Sequence, residues 1–496
     1  MARTLHLAIA LLLALTLSAQ QKPAIDTKAV DALMLRTMKE WRIPGAALAI
    51  VKDDKVLYVQ GYGTKEAAGE EKVDADTLFQ LASTSKAFTS TAIAMLASDG
   101  KLSFDDLVRE HIDYFRLADE CASANVTIRD ILSHRTGLSR HDELWDNTLL
   151  TREDVVRSIG KVSLSKPFRT TYQYQNIMFI TAGEVVTNTS GMTWDEFVRT
   201  RLFQPLNMTH TITSDADWNA STNRASGHSY DWRTGIVAPQ KHVDATTLGA
   251  AGAIKSSARD MANWLRFQLA DGSFDGKQLV DPARLAETKS PETVIKMSEL
   301  SRERNPETNM LAYGMAWNIQ DYRGTLLVSH SGSLNGFRAH VDLLPKQKAG
   351  FVLMINVGRG IALSALRNAL ADMLLGAPSR DWSTLFLASE RKEDEKSAKD
   401  REARMAKRVA NTTPTLPLDA YTGAWKNEAY GTATISIVND KLVLNWNRLT
   451  IPLEHFHYDV FTADSPADDV DEQVVFGFND AHELQSMSVF GEMFKR

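Results

Sequence analysis

The sequence predicts an α/β (α+β) fold: an antiparallel sheet flanked by helices, a helical region beside it, and a small all-β domain at the C-terminus. Strand-like runs rich in Val, Leu, Ile and Tyr occur near residue 50 and again between residues 325 and 356, with a mainly helical pattern between them. Short alternating runs follow residue 414. Because strands both open and close the first part of the chain, we expect one sheet assembled from its two ends.

The composition is that of a globular protein with a sizeable core. The chain has 496 residues, of which 44% are hydrophobic and 24% charged, and a length of this kind allows two or three domains. Its 56 Lys and Arg against 62 Asp and Glu give a net charge of -6 and no basic patch, so we expect no nucleic-acid partner. The single cysteine, Cys121, excludes an internal disulfide framework and a Cys-rich metal site.

The N-terminus has the pattern of a secretory signal. Arg3 precedes an apolar run over residues 5–17, and the small residues Ser18 and Ala19 follow it. The run is shorter than the roughly 20 apolar residues that a membrane span needs. We therefore expect a signal peptide over residues 1–19, no stable membrane insertion after its cleavage, and a secreted or periplasmic protein.

The first elements form a hairpin and a helix. Residues 46–51 and 56–62 are strand-like and are separated by a polar turn over residues 52–55. Over residues 84–98 the apolar side chains recur with helical spacing, and Gly100 follows where a helix would end. Helical stretches and loops alternate from there to about residue 215.

The sheet pattern then returns, and a linker leads to the last domain. Strands are predicted over residues 325–329, 338–344 and 350–356, and a helix over residues 361–375. Residues 389–408 are nearly all charged, with pairs such as Asp400 and Arg404 four residues apart, which is typical of a solvated helical linker or of a disordered tether. Alternating runs at 432–438, 442–446, 474–478 and 487–490 predict the small all-β domain.

Ser83 and Lys86 are the first candidate catalytic residues. They open the helix predicted over residues 84–98, so their side chains lie one turn apart on one face. A serine hydroxyl needs a base to become a nucleophile, and a lysine kept neutral by burial or by nearby positive charge can serve. Ser163 and Lys166 have the same spacing, but Pro167 disfavours a helical conformation there and we discard that copy.

Two further groups of residues fit the same chemistry. Tyr174 and Asn176 lie in a loop-like stretch, where a phenol could relay a proton and an amide could hold a substrate carbonyl or orient the lysine; packing and turn roles are the alternative. His330 and Gly332 end a strand-like run, and Ser333 follows. There a histidine could supply a donor or a positive charge, and a glycine could let a substrate backbone approach closely.

In the order Ser-x-x-Lys, Tyr-x-Asn, His-Ser-Gly, the sequence resembles the serine β-lactamase and penicillin-binding-protein superfamily, most nearly its class C, D-aminopeptidase and esterase branch. Residues 131–138, 203–208 and 251–257 also look like signatures of that family, and we interpret them as structural. From residue 418 the chain is similar to a lipocalin-like β-barrel module. The resemblance implies four segments: a signal peptide (1–19), a β-lactamase-like hydrolase domain (24–385), a charged linker (386–413) and a lipocalin-like barrel (414–496).

The resemblance implies an acyl-enzyme mechanism without metal or cofactor. Ser83 would attack a carbonyl, Lys86 and Tyr174 would take the serine proton and pass it to the leaving group, and Asn176 would position the substrate. His330 would occupy the place of the third-motif cation. Backbone N–H groups of Ser83 and Ser333 would form an oxyanion hole, and such donors typically contribute about 3 kcal/mol to lowering the barrier.

The sequence therefore predicts a secreted serine hydrolase acting on small-molecule esters, amides or peptides, including those with D-residues. His330 stands where strong β-lactamases usually have lysine, and an uncharged histidine would bind a substrate carboxylate less firmly. The alternatives are a β-lactamase or D-Ala-D-Ala carboxypeptidase, and a non-catalytic binding or sensor protein. Neither the natural substrate nor the oligomeric state follows from the sequence.

A loop with two histidines is not predicted to bind a metal. His134 and His141, with Asp142 and Glu143 next to the second, show none of the usual ligand spacings, so we interpret the loop as structural.

Overall fold

The computed structural model describes residues 25–465 and 470–496. The predicted signal peptide, residues 1–19, lies outside the described residues. Within them the chain forms an α/β body, a long linker helix and a C-terminal barrel. None of the helices in these two ranges combines the length and the apolar character needed to cross a membrane.

The α/β body is built on one antiparallel sheet of eight strands. In chain order the strands of the body are β1 (Gly45–Lys52), β2 (Lys55–Gly63), β3 (Phe79–Gln80), β4 (His228–Asp231), β5 (Ile236–Pro239), β6 (Lys255–Ser256), β7 (Ser273–Phe274), β8 (Lys277–Gln278), β9 (Thr293–Val294), β10 (Leu311–Tyr313), β11 (Asn318–Tyr322), β12 (Thr325–Leu334), β13 (Phe337–Leu344) and β14 (Ala349–Ile355). The order of strands across the eight-stranded sheet is β2-β1-β14-β13-β12-β11-β10-β9. Strand β1 pairs with β14 from Ala46↔Ile355 to Lys52↔Ala349. The sheet is therefore assembled from the two ends of the body's chain, as predicted.

The predicted hairpin is confirmed, and its turn has a local cause. Asp53 and Asp54 both adopt positive φ angles, 50° and 60°, which a two-residue turn between twisted strands requires and which Asp tolerates well. Pairing then runs from Lys52↔Lys55 back to Gly45↔Gly63.

Helices cover both faces of the sheet. The α-helices of the body are Thr27–Trp41, Ser85–Ser98, Val108–His111, Glu120–Asn125, Ile128–Leu132, Arg152–Ser158, Ile177–Ser190, Trp194–Val198, Asp215–Ala220, Ala258–Leu269, Pro282–Thr288, Glu299–Arg304 and Gly360–Leu375. Alternate side chains of β1 enter two different cores: Ala47 and Ala49 face one, and Leu48 and Ile50 face the other. This double burial explains why β1 is apolar along nearly its whole length.

The helix Ser85–Ser98, which we call the nucleophile helix, is central to the first core. All of its residues from Ser85 to Leu96 are buried, because the helices Ile177–Ser190, Ala258–Leu269 and Pro282–Thr288 pack against it. A helix buried on all sides cannot shift easily, and it therefore holds its N-terminal residues in place.

Strand β12 is longer than predicted. The sequence indicates a strand over residues 325–329, but the strand continues to Leu334 because β13 pairs with it as far as Leu334↔Phe337. Pairing with β11 ends earlier, at Ser329↔Asn318. Among the strands that the structure describes, residues 330–334 thus pair along one edge only.

The charged segment is a helix, Trp382–Ala406, which we call the linker helix. The interpretation as a freely solvated helix is incomplete, since several of its charges contact the rest of the molecule. Asp400 pairs with Lys396 and not with Arg404 as expected, while Arg404 binds Asp471 of the barrel. The sequence spacing identified charges that could pair within the helix, but tertiary partners compete for them.

The C-terminal domain is a closed barrel of eight antiparallel strands. Its strands are β15 (Gly423–Asn427), β16 (Gly431–Val438), β17 (Lys441–Trp446), β18 (Leu449–His457), β19 (Val460–Ser465), β20 (Val470–Phe478), β21 (Leu484–Val489) and β22 (Glu492–Lys495). Aromatic side chains fill its interior, among them Trp425, Trp446, Phe461, Phe476 and Phe494. The small all-β domain is confirmed as a barrel, and its kinship with lipocalins stays a prediction.

Candidate active site

Ser83 lies in a tight turn that leads into the nucleophile helix. The preceding residue, Ala82, has a φ of 48°, a conformation rare for a residue with a side chain. Strand β12 packs directly on this turn: a Cβ added at Gly332 would lie 2.0 Å from the carbonyl oxygen of Leu81. Gly332 was expected to admit a substrate backbone, but the backbone that approaches it is the chain's own. Its absent side chain lets the strand and the serine turn meet.

Lys86 is placed to act as the base. Its Nζ lies 3.1 Å from Ser83 Oγ, 2.7 Å from Asn176 Oδ1 and 2.8 Å from the carbonyl oxygen of Ala251. A neutral amine has two hydrogens and one lone pair. When the hydrogens go to the two oxygens that only accept, the lone pair faces the serine hydroxyl.

The surroundings of Lys86 favour this neutral form. Complete burial lowers the pKa of the Lys86 ammonium well below its ordinary value, and the positive charge of Arg140 lowers it further, while Asp142 opposes the shift. A lysine that loses its proton readily can accept one from Ser83.

Tyr174 completes the group around the serine. Its hydroxyl forms a hydrogen bond with that of Ser83, and its ring centre lies 5.0 Å from Lys86 Nζ. Burial raises the pKa of the Tyr174 phenol above its ordinary value, so the group remains protonated at neutral pH. Tyr174 is therefore suited to relaying a proton, and the lysine is the better base.

Asn176 precedes the helix Ile177–Ser190, and both ends of its amide have protein partners. Its oxygen accepts from Lys86, and its Nδ2 donates to Asp142 Oδ1 across 3.2 Å. Of the two roles considered for this amide, the geometry favours orienting the lysine over holding a substrate carbonyl.

His330 is buried and uncharged. Its Nδ1 lies 2.7 Å from the carbonyl oxygen of Ser331, so that nitrogen carries the hydrogen, and its Nε2 accepts from the hydroxyl of Tyr313 across 2.9 Å. Burial lowers the pKa of the His330 imidazole to about 3. The place expected for a third-motif cation thus holds a neutral ring at neutral pH.

These residues open into a cleft of about 880 Å³. Ser83, Tyr174, Asn176, His330 and Ser333 all line it, so the structure brings the predicted site residues together. Gly332 lies between two of them on β12. Other residues of the wall include Arg140, Trp145, Asp146, Tyr172, Tyr230 and Arg338. The cleft is therefore mixed in character, with aromatic rings and charges of both signs.

Comparison with known proteins agrees with this arrangement. The family model described as Beta-lactamase matches residues 30–373. The chain belongs to the β-lactamase family. A second model, described as a domain of unknown function (DUF3471), matches residues 407–495 and so covers the barrel.

Individual relatives of this β-lactamase-family chain support the same conclusion. The unguisins hydrolase ungD' of Aspergillus campestris is 32% identical over 417 residues, which cover 81% of this chain and 76% of that protein. Protein flp of Staphylococcus aureus is 26% identical over 66% of this chain and 62% of its own length. The structure of an octameric penicillin-binding protein homologue from Pyrococcus abyssi matches with a TM-score of 0.62 and 19% identity, covering 95% of this chain and 100% of that one. The predicted superfamily and fold are confirmed, and members of this family are serine hydrolases.

The sequence did not identify several residues that complete the site of this family member. Tyr313 donates to His330, and Arg140 donates through Nε to Asp142 across 2.6 Å. Asp142 in turn binds Asn176. His134, fully buried, packs its ring 4.4 Å from that of Tyr174. The family-like stretch 131–138 and the residues around Asp142 stand out in the sequence, but nothing there indicates which residues they contact.

Proposed function

We propose that the protein is a serine hydrolase that forms an acyl-enzyme on Ser83 and acts on esters or on small amides and peptides, including those with D-residues. The observation that carries the proposal is the position of Lys86. Asn176 Oδ1 and the carbonyl oxygen of Ala251 accept hydrogen bonds from Lys86 Nζ, and the lone pair of this nitrogen faces Ser83 Oγ, 3.1 Å away.

In the first half of the reaction Lys86 takes the hydroxyl proton as Ser83 Oγ attacks the substrate carbonyl carbon. The backbone N–H groups of Ser83 and Ser333 would stabilise the oxyanion, a contribution of about 3 kcal/mol for donors of this kind. Tyr174 then gives its phenolic proton to the leaving group and regains one from Lys86. The carbon-to-leaving-group bond breaks, and the acyl group remains on Ser83.

Water completes the cycle. With Lys86 neutral again, a water molecule attacks the acyl carbon while Lys86 takes the proton of that water. The tetrahedral intermediate collapses, Ser83 Oγ leaves and is protonated, and the carboxylic acid product departs.

Two features support the substrate class. Neutral His330 offers no charge to the carboxylate that β-lactams and D-Ala-D-Ala peptides carry, which favours acyl donors without one over the β-lactamase and carboxypeptidase alternatives. The edge of β12 at residues 330–334 that β11 leaves open is suited to pairing with an extended peptide. The similarity to two Aspergillus unguisins hydrolases supports a hydrolytic reaction.

Intact-mass measurement tests the proposal. Wild type and Ser83→Ala are exposed to a p-nitrophenyl ester, a D-alanyl amide and penicillin, quenched in acid within seconds, and weighed while turnover is followed in parallel. We expect an adduct on the wild type only, with the ester or amide turned over faster than penicillin. Absence of both adduct and turnover with all three would favour the non-catalytic binding protein instead.

We also infer that residues 1–19 are a signal peptide that exports the protein. We infer that residues 24–385 form the hydrolase domain and residues 414–496 the barrel domain, and that residues 386–413 link the two. Apolar character and small residues before position 20 support the first inference. Expression in a Gram-negative host with fractionation would show a periplasmic chain whose mass begins at Gln20; an uncleaved cytoplasmic chain would contradict it.

A further inference from the structure

The barrel touches the loop that carries Asp142. Tyr430, which follows β15, has its hydroxyl 2.5 Å from His141 Nδ1, and it donates to Glu492 Oε1 of β22 across 2.9 Å. His141 is the residue next to Asp142. We call His141, Tyr430 and Glu492 the barrel contact.

The number of available hydrogens decides which group donates and which accepts at the barrel contact. The single hydroxyl hydrogen of Tyr430 goes to Glu492, so its oxygen accepts the hydrogen of His141 Nδ1. The second ring nitrogen of His141 lies 3.0 Å from Ser139 Oγ. His141 Nδ1 also lies 3.6 Å from Glu492 Oε1, and this contact, together with the hydrogen bond from Tyr430, keeps the pKa of the Glu492 carboxyl below its ordinary value.

The backbone of His141 also needs support. Its φ of 45° lies in the left-handed region, which residues other than glycine rarely adopt. Both ring nitrogens of this residue are hydrogen bonded, and Tyr430 is almost fully buried. A conformation of this kind persists only where its surroundings hold it.

From His141 the connection continues to the base. Asp142 Oδ1 accepts from Asn176 Nδ2 across 3.2 Å and from Trp145 Nε1 across 2.7 Å. Asn176 turned in this way presents its oxygen to Lys86 at 2.7 Å. A rotated or displaced Asp142 would leave that amide free to turn, and Lys86 would lose one of the two acceptors that direct its lone pair.

We propose that Tyr430 and Glu492 are positioning residues for acylation: through His141 they fix the loop of Asp142, and Asp142 fixes Asn176 against Lys86. The barrel is then a working part of the hydrolase. This inference rests on the proposed function, since it concerns the step in which Ser83 is acylated.

Two barrel residues outside the barrel contact provide matched controls. Arg448 of the barrel forms an ion pair with Asp244 at 2.8 Å, and this pair does not include Asp142. Tyr458 is 52% exposed on the barrel surface. Arg448→Met therefore weakens docking of the barrel in general, and Tyr458→Phe removes a barrel hydroxyl without touching the loop.

The test measures the acylation rate constant and the binding constant separately, by stopped flow with a p-nitrophenyl ester on the full chain. For Tyr430→Phe and Glu492→Gln we expect the acylation rate constant to fall about tenfold, within the range known for residues that act through others, while the binding constant changes less than about twofold. Arg448→Met and Tyr458→Phe should acylate at the wild-type rate. Glu492→Gln carries the test if Tyr430→Phe does not fold, as judged by circular dichroism.

A double-mutant cycle identifies the route. Asp142→Asn should slow acylation, and adding Tyr430→Phe to it should cost much less than in the wild-type background, because both act on Asn176. Additive losses, wild-type rates in both barrel variants, or an equal loss in Arg448→Met would overturn the positioning role. A wild-type chain with neither an adduct on Ser83 nor turnover would overturn the proposed function as well, so the two failures differ.

Discussion

The same four-residue pattern occurs twice in this chain, in two very different places. Ser83 and Lys86 stand at the start of the nucleophile helix, and the Lys86 side chain is 0% exposed. Ser163 and Lys166 lie on the surface in a loop that precedes Pro167. The carbonyl of Lys166 is packed against Gly137, so that loop is ordered but outside any helix.

Under the proposed mechanism, burial is the difference that gives the first copy of the pattern its chemistry. Lys86 is removed from water, and this desolvation, together with the positive charge of Arg140, lowers the pKa of its ammonium group. Lys166 is exposed, and no such burial acts on it. Asn176 and Ala251 then aim the lone pair of Lys86, and the surface copy has no comparable hydrogen-bond partners among the described contacts of Lys166.

The largest expected effect is the difference in activity between variants of Ser83 and of Ser163. Ser83→Ala removes the proposed nucleophile, and we expect kcat/KM with the best ester or amide to fall by about 10⁵-fold or more. Ser163→Ala should remain within about twofold of wild type, as surface substitutions usually do. Steady-state kinetics of the two variants measures this, and comparable losses in both would show that the surface copy takes part.

The second effect separates the two lysines. Lys86→Met keeps the approximate length of the side chain but removes the proposed base, so we expect kcat to fall about 10²- to 10⁴-fold, the usual contribution of a general base. Lys166→Met should leave kcat unchanged.

The dependence of activity on pH also tests the role of Lys86. In the proposed mechanism Lys86 acts only when neutral, so activity should be present above its lowered pKa and lost as the pH falls through it. Profiles of kcat/KM for wild type and Lys166→Met should share this acid limb, and Lys86→Met should lack it. An acid limb retained in Lys86→Met would assign the titration to another group.

Much of this comparison could be made from sequence. Pro167 was enough to reject the second copy, since the residue before a proline avoids the helical region, and the helix predicted from residue 84 begins at Ser85. Local signals of this kind act over a few residues. They also predicted the hairpin and the helix Gly360–Leu375, which ends at Gly376 with a φ of 62°.

What could not be predicted depends on distant partners. Asp142 and Asn176 are 34 residues apart, and Tyr430 meets His141 across 289 residues, so no local pattern marks these pairs. Three barrel strands, β15, β19 and β22, are not predicted from the sequence, because they are short and offer few alternating apolar positions.

The smallest predicted effect concerns the packing that holds the first copy in place. Gly332→Ala would set a methyl group 2.0 Å from the carbonyl oxygen of Leu81, so β12 and the serine turn must separate. We expect a loss of about 1–3 kcal/mol in the free energy of unfolding, the usual cost of overpacking. A fall in kcat of about tenfold should accompany it, because misplacement of this size disturbs the alignment of Ser83 with the N–H of Ser333.

Gly160→Ala is the control for that substitution, since its nearest contact, the Cβ of Arg116, would lie at 3.4 Å. Chemical denaturation and kinetics of the two variants decide the matter. If Gly332→Ala lowers stability while kcat stays at the wild-type value, the turn has retained its geometry by itself. The strand would then matter for folding alone, and the catalytic difference between the two Ser-x-x-Lys copies would rest on the burial of Lys86 without help from β12.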